Sequence, residues 1–286
     1  MPREFDPISL EIMWSRLISV VDEAAATLVR TSFSTIVKES NDYACMLTTA
    51  DGDGLVNNTA SIPSFIATVP RTIKHFLREY PRDQWQEGDV IMTNDPWLAS
   101  GHLPDITMAM PIFFKGKLVA FAGTIAHSPD IGGTIWSADA REIFEEGIRI
   151  LPVKLYEAGK INETLVRIIR GNVRVPDMVM GDLEAQIISQ TTCKNRLLEF
   201  LEETGLDDLN DLSRVIQDKA EQIMRQAIRN VPDGVYEKTV ELDGFDAPIR
   251  IQCKITVEGS ELEVDYEGTS PQIGRSLNCV MAYTHS

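Results

Sequence analysis

Leu10, Trp14, Leu17, Val21, Ala24 and Leu28 recur at spacings of three and four, one apolar stripe on a helix. Asp6 before Pro7 supplies an N-cap acid and a proline at the first helical position, so this helix starts there and ends near Thr31. The pattern then changes. Tyr43 to Leu47 is a short apolar run that reads as a buried strand, residues 50–54 read as a turn, and Leu55-Val56 starts the returning strand. A helix is expected over 69–80, with Thr68 as its cap, Pro70 in its first turn and Pro81 as its stop. Val90 to Thr93 reads as a third strand. Residues 106–114 and 117–126 form the clearest pair of strands, with Lys115-Gly116 as the turn.

Residues 132–147 read as loop, 148–155 as extended, and a short helix is expected after Asn162. Two longer helices follow, within 177–203 (closed by Gly205) and over about 208–229 (before Pro232). Strands are expected at 235–242, 249–257 and 261–266, with Glu258-Gly259 as a hairpin turn. The fold class is α+β, largely antiparallel sheet with long helices. Two regions are expected. Residues 1–175 carry the candidate chemistry, and 176–286 hold a helical pair followed by antiparallel strands. The apolar run 277–283 has no closing turn, which suggests a truncated chain.

Composition narrows the partners. Across 286 residues, 43 Asp and Glu against 27 Lys and Arg leave a formal charge of −16, which repels phosphate backbones and anionic lipid. Nucleic acid and membrane surfaces are therefore not expected partners. No run reaches the roughly 18 apolar residues of a membrane helix, and the first six residues lack the pattern of a signal peptide. Cys45, Cys193, Cys253 and Cys279 form no CxxC pair, which points to reduced thiols in a cytoplasmic protein. Cys45, inside an apolar run, reads as buried filler.

The chain has four histidines. His75 falls in a helix and His285 beside the last residue, both read as surface positions. His102 and His127 differ, because the hairpin joins them. A regular ladder from Lys115-Gly116 sets Pro104 opposite His127 and Asp105 opposite Ala126. Opposed residues are about 5 Å apart at Cα, so the open end of the hairpin gathers His102, Asp105 and His127. Two imidazoles and a carboxylate are a recurring ligand set for Zn, Fe or Mn. Glycine and proline in Ser100-Gly101-His102-Leu103-Pro104-Asp105 fix one loop. Loops at Ser128-Pro129-Asp130 and Asn94-Asp95-Pro96 lie at the same sheet end.

These segments carry a resemblance. Asp6-Pro7-Ile8, Lys38-Glu39 with Asp42 and Cys45, Thr93 to Pro96, Gly101 to Ile106, Ala126-His127 with Asp130 to Gly133, and Glu145 to Ile150 with Pro152 to Tyr156 resemble the hydantoinase B/oxoprolinase family, in order along nearly the whole chain. The family includes N-methylhydantoinase, 5-oxoprolinase, caprolactamase, and the acetone and acetophenone carboxylases. Its members are longer than this chain. Ala99-Ser100-Gly101-His102 departs from the commoner Gly-Gly-Thr-His, and Ser128 stands where a second histidine often follows, so substrate preference is open.

The resemblance implies the metal-bearing B-type subunit of an ATP-dependent cyclic-amide hydrolase in a hetero-oligomer. A hydantoinase A-type subunit would bind ATP-Mg. The absence here of GxxxxGK[ST] and GxGxxG fits that division. His102, Asp105 and His127 would hold a divalent metal (Zn, Mn or Fe). Asp42 would be a fourth ligand or the general base, or else a turn cap. Asp130 would orient His127 or cap its loop. Asn94 and Asp95 would line the substrate pocket, or form a plain turn. The alternatives are a subunit of an ATP-dependent ketone carboxylase, and a non-catalytic scaffold stapled by the metal.

Overall fold

The computed structural model describes residues 5–134 and 137–286. Residues 1–4, and Ile135 and Trp136 within the expected loop 132–147, lie outside the described residues. In α1 (Pro7–Thr31) the Asp6 carboxylate accepts from the Ile8 and Ser9 N–H groups at 3.1 and 3.0 Å, satisfying donors that a helix start leaves open. Next come α2 (Thr35–Lys38), β1 (Tyr43–Thr49), β2 (Gly54–Asn57), α3 (Pro63–Ile66) and α4 (Thr68–Glu79). Thr68 is not the cap of α4. Its hydroxyl donates to the Phe65 carbonyl, because α3 runs almost directly into α4. The chain continues through β3 (Val90–Thr93), β4 (Asp105–Phe114), β5 (Lys117–His127), α5 (Ile143–Glu146), β6 (Val153–Glu157), β7 (Lys160–Ile161), α6 (Glu163–Asn172) and α7 (Pro176–Thr204). Last are α8 (Asn210–Arg229), β8 (Gly234–Leu242), β9 (Ile249–Glu258), β10 (Glu261–Asp265) and α9 (Met281–Thr284).

The class is α+β. One antiparallel sheet has seven strands in the order β2-β1-β5-β4-β3-β6-β7. Helices cover both faces, which is why β1, β4 and β5 read as continuous apolar runs without alternation. On one face Ala44, Met46, Ala109, Phe121 and Ile125 pack with Phe65, Val69, Ile73 and Phe76 of α3 and α4. Each fully buried large side chain there contributes roughly 1.5–3 kcal/mol. Gly123 lets α4 come close, since a Cβ at that position would sit 2.5 Å from Val69 Cγ1. On the other face Met92, Ile106, Met108 and Met110 meet Leu165 and Ile169 of α6 and Val179 and Leu183 of α7. Helix α1 lies along α7 and β1.

Two compact units emerge, residues 1–213 with 275–286, and residues 214–274. They do not coincide with a boundary at 175/176. Helix α7 belongs with the seven-stranded sheet, because its buried side, including Leu183, Gln186 and Gln190, packs on that sheet and on α1. The run 277–283, expected to end inside an element, leads into α9, whose residues count with the first unit. The second unit holds an antiparallel sheet in the order β10-β9-β8. Its register lines up Tyr236, Val240, Ile251, Leu262 and Val264 on one side. Among the described residues no helix is long and apolar enough to cross a membrane.

Candidate metal centre

The cluster is built by a defect in one ladder. Beside the turn, Phe114 faces Lys117 and Phe113 faces Leu118, as a regular hairpin requires. The next pair is Ile112 with Ala120, so Val119 is an extra residue and the ladder bulges. From there to the open end the pairing is displaced by one, and Asp105 faces His127, not Ala126. This differs from the regular register expected from the sequence, in which Asp105 faces Ala126. The consequence is large, because a one-residue slip turns a side chain to the other face. A regular ladder would set Asp105 and His127 on opposite faces. The bulged ladder puts both on the α4 face.

Strand β1 completes the row. Tyr43 faces Ala126, and the His127 N–H donates to the Asp42 carbonyl at 3.1 Å. Asp42 and Asp105 therefore flank His127. His102 comes from the turn before β4, where its N–H donates to the Ser100 carbonyl at 2.5 Å and Gly101 takes φ 61°. His102 Nε2 lies 2.9 Å and His127 Nδ1 3.1 Å from the same oxygen, Asp105 Oδ1. Asp42 Oδ2 stands 3.6 Å from His127 Nδ1. The imidazole centroids are 5.1 Å apart. Asp105 and His127 are buried, whereas the His102 side chain is 45% exposed, so the cluster opens to solvent on the His102 side.

The charges are divided. Burial pushes the Asp105 carboxyl up, but hydrogen bonds from His102, His127 and Ser100 outweigh it and hold the group below the usual carboxylate range. Burial also works against a charged His102, but the Asp105 bond and the charges of Asp105, Asp42 and Glu146 raise it above the ordinary imidazole value. Asp42 is pushed up, first by burial and then by the Asp105 charge, with the imidazoles pulling the other way. Two neighbouring carboxyls with opposite shifts suit two roles, one staying ionised and one exchanging a proton.

The donors fit a divalent transition metal. One ligand atom each from His102, Asp105 and His127 falls within a 4.8 Å span. Ligands about 2.1 Å from one ion at tetrahedral angles stand roughly 3.4 Å apart, close to the 2.9 and 3.1 Å from Asp105 Oδ1 to the two imidazole nitrogens and to the 3.6 Å from Asp42 Oδ2 to His127 Nδ1.

The other residues singled out in the sequence lie elsewhere. Asn94 is wholly buried. Its Nδ2 donates to the Leu103 and Ile148 carbonyls at 2.8 and 2.9 Å, and its Oδ1 accepts from the Ile150 N–H at 2.6 Å. Asp95, also buried, pairs with the Arg149 guanidinium and accepts from the Trp97 N–H. Asp130 does not orient His127. Its carboxylate accepts from the Gly132 N–H and from the Arg174 backbone and guanidinium. Cys45 is buried, its thiol pushed up to about 12 by burial.

Sequence reasoning missed Ser100, Glu146 and Tyr283. Ser100 Oγ donates to Asp105 Oδ2 at 2.6 Å. Glu146 adds charge beside His102 and accepts from Ser276. The Tyr283 ring packs over Gly101, where a Cβ would lie 3.2 Å from the ring, and its hydroxyl accepts from Ser64 Oγ at 3.0 Å. Glu146 lies in a segment that carries the family resemblance, and Ser100 in the stretch that departs from it. Nothing local marks Tyr283.

The chain is 35% identical over 284 residues to the putative B-type subunit of a D-/L-hydantoinase from Pseudomonas sp. (strain NS671), covering 95% of this chain and 48% of that one. It is 30% identical to the acetophenone carboxylase delta subunit of Aromatoleum aromaticum, covering 96% of this chain and 41% of the other. The crystal structure of the ATP-dependent caprolactamase from Pseudomonas jessenii superposes with a TM-score of 0.91 at 30% identity, over 99% of this chain and 49% of that one. The chain thus spans about half the length of these relatives. The family model described as Hydantoinase B/oxoprolinase matches residues 6–286, and the chain belongs to that family.

Proposed function

We propose that this chain is the metal-bearing B-type part of an ATP-dependent cyclic-amide hydrolase and acts with an A-type subunit that binds ATP. The observation that carries the reading is the row Asp42, His127, Asp105 across three strands, with His102 closing over it. His102, Asp105 and His127 hold the ion, and Asp42 is the fourth ligand or the base. A bound Zn, Mn or Fe ion supplies Lewis acidity at the cluster. ATP, spent on the A-type subunit, phosphorylates the amide oxygen and leaves ADP. Water then adds to the ring carbon, and the ring C–N bond breaks with a proton passing to the amine. A second water releases phosphate from the acyl phosphate that remains. Asp42, its carboxyl pushed above the ordinary value chiefly by burial, accepts the proton of the attacking water. Asp105, held below the usual carboxylate range, stays ionised and is available as a ligand. Asn94, Asp95 and Asp130 act from behind, holding the loops on which the cluster rests.

A second reading, a subunit of an ATP-dependent ketone carboxylase, is favoured by the similarity to the acetophenone carboxylase delta subunit. Asp42 would then take the proton next to the ketone carbonyl. The natural protein containing this chain, purified with its A-type partner, separates the two. Lactam- or hydantoin-dependent phosphate release without bicarbonate supports the hydrolase. Bicarbonate incorporation coupled to a ketone supports the carboxylase. Elemental analysis should find near-stoichiometric metal that is lost in His102→Ala and His127→Ala. Full occupancy in both variants would refute the metal assignment.

A further inference from the structure

Ser100 makes contacts that the proposed chemistry leaves unused. The residue is wholly buried at the start of the His102 turn. A carboxylate can only accept, so the 2.6 Å contact is donation from Ser100 Oγ–H to Asp105 Oδ2. The backbone carbonyl of the same serine accepts from the His102 N–H at 2.5 Å. The other carboxylate oxygen, Oδ1, faces His102 Nε2 and His127 Nδ1. The two oxygens of Asp105 are chemically equivalent until something distinguishes them. The serine does, claiming Oδ2 and leaving Oδ1 among the imidazoles.

We infer that Ser100 is a positioning residue, whose hydroxyl fixes Asp105 so that Oδ1 is offered to a divalent cation at the His102–His127 cluster. Its carbonyl fixes the turn that delivers His102. One residue thereby organises two of the three ligands. The inference rests on the metal reading proposed above. Hydrogen-bond partners of ligating carboxylates govern metal affinity by about 10–100-fold, and that is the size of effect expected.

The test uses the natural protein stripped of metal and titrated with Co(II), read by affinity and by the visible spectrum. Ser100→Ala should bind one equivalent about 10–100-fold more weakly, with displaced visible bands, because Asp105 is free to present either or both oxygens. Ser100→Thr keeps the hydroxyl and should recover most of the affinity lost in Ser100→Ala. Should Ser100→Ala not fold, Ser100→Gly, which also removes the hydroxyl without adding bulk, is read in its place. Wild-type affinity and spectrum in the variant lacking the hydroxyl would overturn the inference. So would a folded Ser100→Thr as weak as that variant. His127→Ala tests the underlying reading separately. If it binds Co(II) like wild type, the metal assignment itself is wrong. If it loses Co(II) while Ser100→Ala does not, only the role of Ser100 falls.

Discussion

Asn94→Ala separates a structural role for this residue from contact with substrate. The side chain is wholly buried and makes three hydrogen bonds, to Leu103, Ile148 and Ile150. Truncation leaves the Ile150 N–H and the Leu103 carbonyl without these partners in buried surroundings. Each such group costs about 1–3 kcal/mol. Ile148 is partly exposed, so water can replace its lost donor at smaller cost. The sum is roughly 2–6 kcal/mol, a large share of the 5–15 kcal/mol that holds a typical domain together. Urea unfolding of the metal-free protein should show a lower midpoint with an unchanged slope. Because Leu103 follows His102, metal affinity should fall as well. Asn94→Asp keeps the acceptor for Ile150 but turns an oxygen towards two carbonyls, so it should rescue little. A substrate-contacting residue gives the opposite pattern, with stability intact and KM raised. A wild-type urea midpoint in Asn94→Ala, combined with weaker substrate binding, would refute the reasoning.

Three further outcomes are expected. Asp42→Asn keeps the size and the backbone carbonyl that accepts from His127 but loses the basicity, so turnover in the reconstituted complex should drop about 10²–10⁴-fold with the urea midpoint unmoved. Wild-type turnover would remove Asp42 from the chemistry. Gly123→Ala drives a Cβ to 2.5 Å from Val69 Cγ1 and 3.1 Å from Ile73 Cδ1, and should destabilise by about 1–3 kcal/mol, relieved by Val69→Ala. An unshifted midpoint would mean that α4 does not rest on β5 there. At Asp130, burial pushes the carboxyl up, but N–H donors from Arg174 and Gly132 and the Arg174 guanidinium outweigh it and depress the folded pKa. Its stabilisation is therefore present above the ordinary carboxylate value near pH ~4 and lost as pH falls through the depressed one. Asp130→Asn should lower stability at neutral pH and flatten the decline on acidification. Equal acid slopes in the two proteins would contradict this account.

The elements that could be read along the chain are those with local causes. Asp6 with Pro7, Asn162 and Gly205 mark helix ends by chemistry confined to one turn, and each does so in the structure. The bulge had no such mark. Val119 sits among Leu118, Ala120 and Phe121 with no glycine or proline, and only the packing of both faces selects the displaced register. Asp105 and His127 could be brought near one another because they end the two strands of one hairpin, and His102 because it lies three residues before Asp105. The regular register, however, turned Asp105 to the other face. Asn94 and Asp95 read as pocket-lining because a polar loop pattern does not say which way side chains turn. Here they turn inward, to backbone groups and to Arg149. Tyr283 reaches Gly101 across most of the chain, a contact fixed by tertiary packing alone.

The bulge also divides the hairpin into a tolerant part and an intolerant one. Eight consecutive pairs run from Ile112–Ala120 to Asp105–His127. Within that stretch, losing or gaining one residue on a single strand reverses the parity of everything towards the open end and parts Asp105 from His127. Beyond it the ladder has slack. Removing Val119, or adding a residue to β4 opposite it, straightens the strand yet keeps the count to the cluster. Lengthening the Lys115-Gly116 turn does not enter the count at all. Gaps in an alignment of relatives should therefore collect at the hairpin tip and at Val119, and an unmatched gap inside the eight pairs should mark a member that has lost the cluster. For a protein engineer, the same asymmetry makes the tip a graft site insulated from the chemistry at the other end of the strands.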